Sequence, residues 1–109
     1  IIACGIEAGG RVSQETTFCL LQRLSGQLRI PFWVQGGIGP DTAASALLAG
    51  AAGIVLAEQL WLADESTLPT AQKASLAASK TIDTQLVSDG QTNYRFLTSS
   101  DRSAVTKLD

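Results

Sequence analysis

A glycine-rich stretch between a predicted strand and a predicted helix contains the residues best suited to ligand chemistry. Residues 32–34 are Phe-Trp-Val, which favour a strand, and residues 36–39 are Gly-Gly-Ile-Gly. Pro40 and Asp41 then favour a helix start, because proline fits the first turn and aspartate can cap free N–H groups. Amides at such a turn can bind an anion such as phosphate. The same residues also fit a tight strand-to-helix turn whose glycines serve geometry alone.

Two further segments carry polar or glycine residues at predicted strand ends. Residues 5–11 read Gly-Ile-Glu-Ala-Gly-Gly-Arg and follow a short apolar run. A strand predicted over residues 53–57 is followed directly by Glu58. Because parallel strands point their carboxyl ends to one edge of a sheet, these two segments and the loop after Gln35 are expected to meet at one face.

Apolar runs alternate with helical patterns along the chain, and the connections between them are short. The pattern predicts strands over 1–4, 32–35, 53–57 and 94–97. It predicts helices over 14–24, 41–49 and 70–78, with glycine stops at Gly26 and Gly50. Alternation of this kind is typical of an α/β fold built from parallel βαβ units.

The number of predicted βα units indicates whether the chain can form a complete barrel. Three or four βα units cannot close an eight-stranded barrel, so in a (β/α)8 TIM barrel this chain would form the C-terminal part, as a fragment. A flavodoxin-like sheet would show the same local pattern. A strand at residue 1 and the lack of methionine also suggest a piece of a longer protein. We predict a barrel portion over 1–87 and a short strand with a linker or tail over 88–109.

Composition excludes several classes of function. The 109 residues carry a net charge of −2, which gives no reason to expect nucleic acid or an anionic membrane as partner. The chain has no histidine, so histidine cannot act as base or metal ligand. Cys4 and Cys19 form neither a disulfide framework nor a close metal-binding pair, and no metal site is predicted. A reducing, cytoplasmic setting follows from the same cysteine usage.

Helical and strand periodicity predicts which side chains form the core. In the first helix Phe18, Leu21, Leu24 and Leu28 recur at helical spacing and are expected to face the sheet. The remaining predicted core residues are Trp33, Leu47, Leu48 and Trp61, with Cys4 and Cys19 as small buried side chains.

Two blocks of the sequence, the first glycine turn and a pair of segments further along, resemble those of a known family. Residues 5–11 resemble the Gly-x-Glu-Ala-Gly-Gly-His turn of the flavin-dependent nitronate monooxygenase (2-nitropropane dioxygenase) family and its enoyl-reductase relatives. Residues 35–38 and 50–58 resemble that family's paired phosphate-binding segments. The likeness covers about residues 1–68. It implies an FMN-binding (β/α)8 barrel with oxidoreductase activity on a small-molecule substrate.

The resemblance also implies which residues bind the cofactor. The implied cofactor-binding residues are Gly9, Gly10, Gln35, Gly36, Gly37, Ala57 and Glu58. Ala57 and Glu58 stand where the family usually has Gly-Thr. A carboxylate beside a phosphate repels it by roughly 1 kcal/mol or more, depending on the dielectric.

Arg11 takes the position of the family's catalytic histidine. Because arginine stays protonated at any working pH, Arg11 cannot accept a proton from a carbon acid. It could bind an anion, stabilise developing negative charge, or form a structural salt bridge. We therefore treat Arg11 as the candidate catalytic residue, with a role that differs from the histidine's.

A narrower resemblance concerns the setting of the domain. Residues 11–22 and 32–40 resemble the barrel-like segment of large multidomain polyketide or polyunsaturated fatty acid synthases of bacteria. That resemblance implies other synthase domains as partners and an acyl substrate. Three hypotheses remain open: an FMN-dependent oxidoreductase, a catalytically inactive structural or docking module, and a barrel that binds a sugar or thiazole phosphate.

Overall fold

Two small sheets and three helices make up the part of the chain described by a computed structural model, which covers residues 1–78 and 83–98. In chain order, the elements are β1 (Ile2–Cys4), β2 (Gly10–Val12), α1 (Thr17–Gln27), β3 (Trp33–Gln35), α2 (Pro40–Leu48), β4 (Gly53–Val55), a 3-10 turn (Glu58–Leu60), α3 (Thr70–Ala78), β5 (Thr84–Ser88) and β6 (Asn93–Leu97). None of the helices within these residues has both the length and the apolar character needed to cross a bilayer.

The parallel sheet confirms the predicted βαβ units. Its strands lie in the order β1-β3-β4, with Ala3 opposite Val34 and Val34 opposite Ile54. Val34 is fully buried at the centre of the sheet. Helices α1 and α2 connect consecutive strands, and their buried faces pack on the sheet around Leu20, Leu21 and Ala46. The predicted α/β class is therefore correct for this half of the molecule.

The second sheet is antiparallel and was not predicted. Its order is β2-β6-β5, with Arg11 opposite Tyr94. Strand β2 begins inside the segment 5–11, which was expected to be only a glycine turn, and ends one residue beyond it. It was missed because three residues are too few to show the alternation of a strand. Strand β5 was also missed, and the turn expected at residues 88–90 joins it to β6. The boundary predicted between residues 87 and 88 falls inside β5.

Helix α1 begins later than predicted. Thr16 caps the helix by accepting a hydrogen bond from the amide of Cys19. The expected cap, Ser13, instead bonds with the backbone of Glu15. The helix continues through Gly26 to Gln27, so the stop predicted at Gly26 is wrong. The stop at Gly50 is confirmed, since this residue has φ +99° directly after the end of α2.

Several predicted core residues lie at the surface. Phe18 is 60% exposed, Leu48 is 90% exposed and Trp33 is 47% exposed. Leu47 is half exposed, and Cys19 is exposed rather than buried. Leu20 is buried in place of Phe18, because each of them is at helical spacing from another leucine of α1 and that spacing alone does not choose between them.

Candidate functional site

A cavity of about 800 Å³ opens where the glycine turns, the 3-10 turn and β6 meet. The structure brings six of the predicted residues to its wall: Gly9, Gly10, Gln35, Gly37, Ala57 and Glu58. The volume falls within the range of pockets that hold cofactors and drug-sized ligands. The residues expected at one edge of the parallel sheet therefore share one cavity.

A carboxylate holds the first glycine turn against the start of α1. The Glu7 Oε2 atom accepts a hydrogen bond from the backbone N–H of Thr17 at 2.9 Å. The Thr17 hydroxyl lies 3.0 Å from the same oxygen and 3.1 Å from the carbonyl oxygen of Gln35, so it can donate to either. Glu7 thus links the first turn, the start of α1 and the end of β3.

The second glycine turn uses backbone conformations that favour glycine. Gly36 has φ +108° and Gly37 has φ +62°. Within residues 1–78 and 83–98, no described hydrogen bond uses the N–H group of either glycine as donor. Gly37 lines the large cavity, whereas Gly36 lines a neighbouring cavity of about 240 Å³ beside the start of α2. Gly37 is exposed, so its amide is available to an acceptor other than the protein, whereas Gly36 is buried.

Glu58 places a negative charge at the cavity wall. Its Oε1 atom accepts a hydrogen bond from the backbone N–H of Gly9 at 2.6 Å. A Cβ at position 9 would overlap this carboxylate, so the Glu58 side chain would have to move aside. The amide of Gly9 is therefore already paired with an anion supplied by the chain itself.

A glutamine side chain connects the two loops that resemble phosphate-binding segments, one after β3 and one after β4. The Gln59 side chain accepts from the amide of Ala57 at 3.2 Å and donates to the carbonyl oxygen of Ile38 at 3.0 Å. The Gln35 Oε1 atom lies 3.6 Å from the Cys4 sulfur. Burial, followed by the negative charge of Glu58, raises the pKa of the Cys4 thiol. The thiol therefore stays protonated and is a poor nucleophile.

Arg11 lies outside both cavities. It is exposed on β2, directly after Gly10, which does line the large cavity. A catalytic role for Arg11 stays a prediction, since no described contact links its side chain to the cavity wall.

Sequence reasoning missed Arg95, which is the arginine that does line the cavity. Its Nε atom donates to the carbonyl oxygen of Ile6 at 2.6 Å, and its Nη1 atom donates to the Thr84 hydroxyl at 2.6 Å. A signal was present, because a lone charge interrupts the apolar strand Tyr94-Arg95-Phe96. Trp61 also lines the cavity rather than the core.

Within the part of the chain that the structure describes, no group of three or more cysteine, aspartate or glutamate side chains could hold a metal ion. The polar residues that line the cavity supply two carboxylates, two side-chain amides, one guanidinium, the hydroxyl of Thr84 and the indole N–H of Trp61, beside the backbone amides. Such a set suits an organic ligand with an anionic group.

Comparisons with known proteins identify a family and similar solved structures. The family model described as nitronate monooxygenase matches residues 1–101. The structure is similar to FabK from Thermotoga maritima, with a TM-score of 0.76 and 28% sequence identity, over 88% of this chain and 32% of that one. A point mutant of the same FabK gives a TM-score of 0.74 over the same shares. The chain thus spans about a third of these solved structures. No curated protein gives a significant match.

Proposed function

Because the chain belongs to the nitronate monooxygenase family, we propose that it forms the C-terminal part of an FMN-dependent oxidoreductase of the nitronate monooxygenase or enoyl reductase class. The observation that carries this proposal is the convergence of both glycine turns and the Ala57-Glu58 segment on one cavity of about 800 Å³. In the proposed whole protein, β1, β3 and β4 are consecutive strands of a (β/α)8 barrel, whose active site lies at the carboxyl ends of the strands.

The residues of the cavity fit a flavin nucleotide in most respects. The N–H group of Gly37 is exposed, is free of protein partners among the described hydrogen bonds and would receive the phosphate, while the adjacent Gly36 lines the neighbouring cavity. Gln35 and Trp61 would contact the ring system from the cavity wall. When bound, FMN supplies the electron-transfer chemistry, while the protein binds and orients it. Glu58 is the exception to the fit, because its charge opposes a phosphate.

Within this chain, Arg11 stands where the family has its catalytic histidine, so this position cannot accept a proton as the histidine does. The chain contains no histidine, and the guanidinium of Arg11 stays protonated. Because Arg11 directly follows Gly10 at the cavity wall, we propose that it binds an anion or stabilises negative charge at the rim. Glu7 and Glu58 already accept hydrogen bonds from backbone amides. Their proposed role is to hold the turns in place.

Cofactor binding tests the proposal directly. We expect the protein to bind FMN more tightly than riboflavin, measured by quenching of flavin fluorescence on titration. Gly37→Asp should weaken FMN binding and leave riboflavin binding nearly unchanged, since aspartate tolerates the positive φ of this position but repels phosphate. Gly90→Asp, in a hairpin turn with φ +89° and open space around it, is the matched control. A protein that takes up no FMN would refute the proposal. Mass spectrometry of released ligand would identify a sugar or thiazole phosphate instead.

A second candidate is a catalytically inactive structural or docking module of a polyketide or fatty acid synthase. It is favoured by the position of Arg11 outside the cavity and by the Glu58 carboxylate on the amide of Gly9. In that setting the partners would be the other domains of the synthase. It shares the fold of the first candidate and differs only in chemistry.

Activity measurements separate the two candidates. For the enzyme, we expect the FMN-loaded protein to oxidise an alkyl nitronate with oxygen, or to reduce an enoyl thioester when dithionite supplies the electrons. Arg11→Ala should lower that rate by at least about tenfold if the arginine stabilises negative charge, whereas Arg29→Ala, an exposed arginine elsewhere, should not. If the FMN-loaded protein catalyses neither reaction, that result would support the inactive module.

A further inference from the structure

The part of the cavity wall formed by β6 and the segment after the 3-10 turn differs chemically from the glycine turns. We propose that Arg95 binds the anionic head of an apolar substrate, and that the surrounding apolar wall receives its alkyl or acyl chain. The wall consists of Trp61, Leu62, Leu76, Phe96 and Leu97. This inference rests on the proposed function in one respect: it takes the cavity to be the substrate site.

The guanidinium of Arg95 is held at two of its three nitrogens. Nε donates to the carbonyl oxygen of Ile6 and Nη1 to the hydroxyl of Thr84, both at 2.6 Å. No hydrogen bond described for residues 1–78 and 83–98 uses Nη2. A planar group fixed at two points loses little conformational freedom when the third nitrogen binds a ligand. The third nitrogen is therefore available to donate to a ligand at the cavity that Arg95 lines.

Arg95 also lacks a neutralising partner in the described residues. The ion pair described there joins Arg23 to Glu15, on α1 and the loop before it. The two carboxylates of the cavity wall, Glu7 and Glu58, accept hydrogen bonds from backbone amides. The half-buried charge of Arg95 is thus available to an anion from outside the protein.

The apolar neighbours restrict the class of anion. Two leucines from the segments after β4 and a phenylalanine and a leucine from β6 line the same cavity as Arg95. A small hydrophilic anion would leave this surface facing water, whereas an alkyl or acyl chain would cover it. A neutral apolar molecule would leave the guanidinium without an acceptor. A carboxylate or similar oxyanion on an apolar chain would both cover the apolar surface and give the guanidinium an acceptor.

The phosphate of FMN offers the same anionic chemistry, so the two sources must be separated. The unpaired amides of Gly36 and Gly37 follow a strand of the parallel sheet, whereas Arg95 belongs to the antiparallel sheet. We therefore assign the phosphate to the glycine turn and the substrate head to Arg95.

The experiment measures binding of octanoate and of octanamide, its neutral counterpart, to the full chain by calorimetry. We expect Arg95→Gln to weaken octanoate binding by about ten- to a hundredfold, the loss of a charge-assisted hydrogen bond, and to leave octanamide binding nearly unchanged. Arg95→Lys, which keeps the charge but loses the planar fork, should fall between. Arg29→Gln removes an exposed charge away from both cavities and should change neither affinity.

Thr84→Val keeps the proposal falsifiable if Arg95→Gln does not fold. It removes the acceptor of Nη1 while leaving the charge, and octanoate binding should weaken with octanamide binding unchanged. Equal octanoate affinity in the folded Arg95→Gln variant and the unmodified protein would overturn the proposal. So would an Arg95→Gln variant that binds octanoate normally but loses affinity for FMN and not for riboflavin. A protein that binds octanoate through Arg95 but takes up no FMN would refute the proposed function alone.

Discussion

Replacing Glu58 by glutamine is expected to tighten FMN binding by about tenfold, with riboflavin affinity nearly unchanged. The Glu58 carboxylate accepts a hydrogen bond from the amide of Gly9 at the wall of the cavity that would hold the cofactor. Glutamine keeps an oxygen acceptor for that amide but removes the charge. Fluorescence titrations of both flavins against both proteins measure the effect.

The magnitude follows from the charge. Two unit charges about 4 Å apart interact by about 4 kcal/mol at an effective dielectric of about 20 and by about 1 kcal/mol in water. Because Glu58 is partly exposed, a gain of about 1 to 2 kcal/mol is expected, which is about tenfold in affinity. The repulsion is screened by salt, so the difference between the two proteins should shrink as ionic strength rises.

Glu65→Gln provides the matched control for this measurement. Glu65 is exposed and lies outside both cavities, so removing its charge should change FMN affinity little. Equal tightening by Glu58→Gln for FMN and riboflavin would show that the effect does not come from the phosphate. Weaker FMN binding in Glu58→Gln would instead mean that the carboxylate itself supports the cofactor.

Changing Gly36 to alanine is expected to lower the free energy of unfolding by about 3 kcal/mol, from strain of about 1 to 3 kcal/mol together with overpacking. Gly36 has φ +108°, and a Cβ there would lie 2.7 Å from the backbone nitrogen of Ala8 and 2.9 Å from the Thr17 hydroxyl oxygen. Backbone cannot move aside as a flexible side chain can. Urea unfolding followed by circular dichroism measures the loss.

Gly37→Ala separates packing from backbone conformation. Gly37 also has a positive φ, +62°, but a Cβ there would meet only the Glu7 side chain at 3.7 Å, an ordinary contact. Its expected cost is about 1 to 2 kcal/mol, the cost of a left-handed residue. If both alanine variants lose the same stability, the close approach of the first glycine turn to Gly36 does not determine the fold of the site.

Local patterns were sufficient for the parallel half of the molecule. The apolar runs predicted β1, β3 and β4, and the helix predicted over residues 70–78 is α3 (Thr70–Ala78). Short-range signals decide such elements, because strand burial and helix periodicity are set by neighbouring residues. The loops after these strands met at one cavity because parallel strands share the direction of their carboxyl ends.

Local patterns could not predict the buried face of α1 or the antiparallel sheet. Phe18 and Leu20 are two residues apart and therefore lie on different sides of α1, and only the position of the sheet selects Leu20 for the core. Strand β2 exists because Gly10–Val12 pairs with residues of β6, far along the chain. No local property of these three residues predicts such a pairing.

By itself, the sequence determined the α/β class, the glycine turns and the absence of any histidine to serve as base, because residue type and spacing decide these directly. Only the tertiary structure decided which arginine meets the cavity. Arg11 was singled out for its place beside the paired glycines, yet β2 leaves it exposed, while the return of β6 brings Arg95 to the wall. The physical reason is that strand pairing across the chain sets the direction of a side chain, and local sequence does not record that pairing.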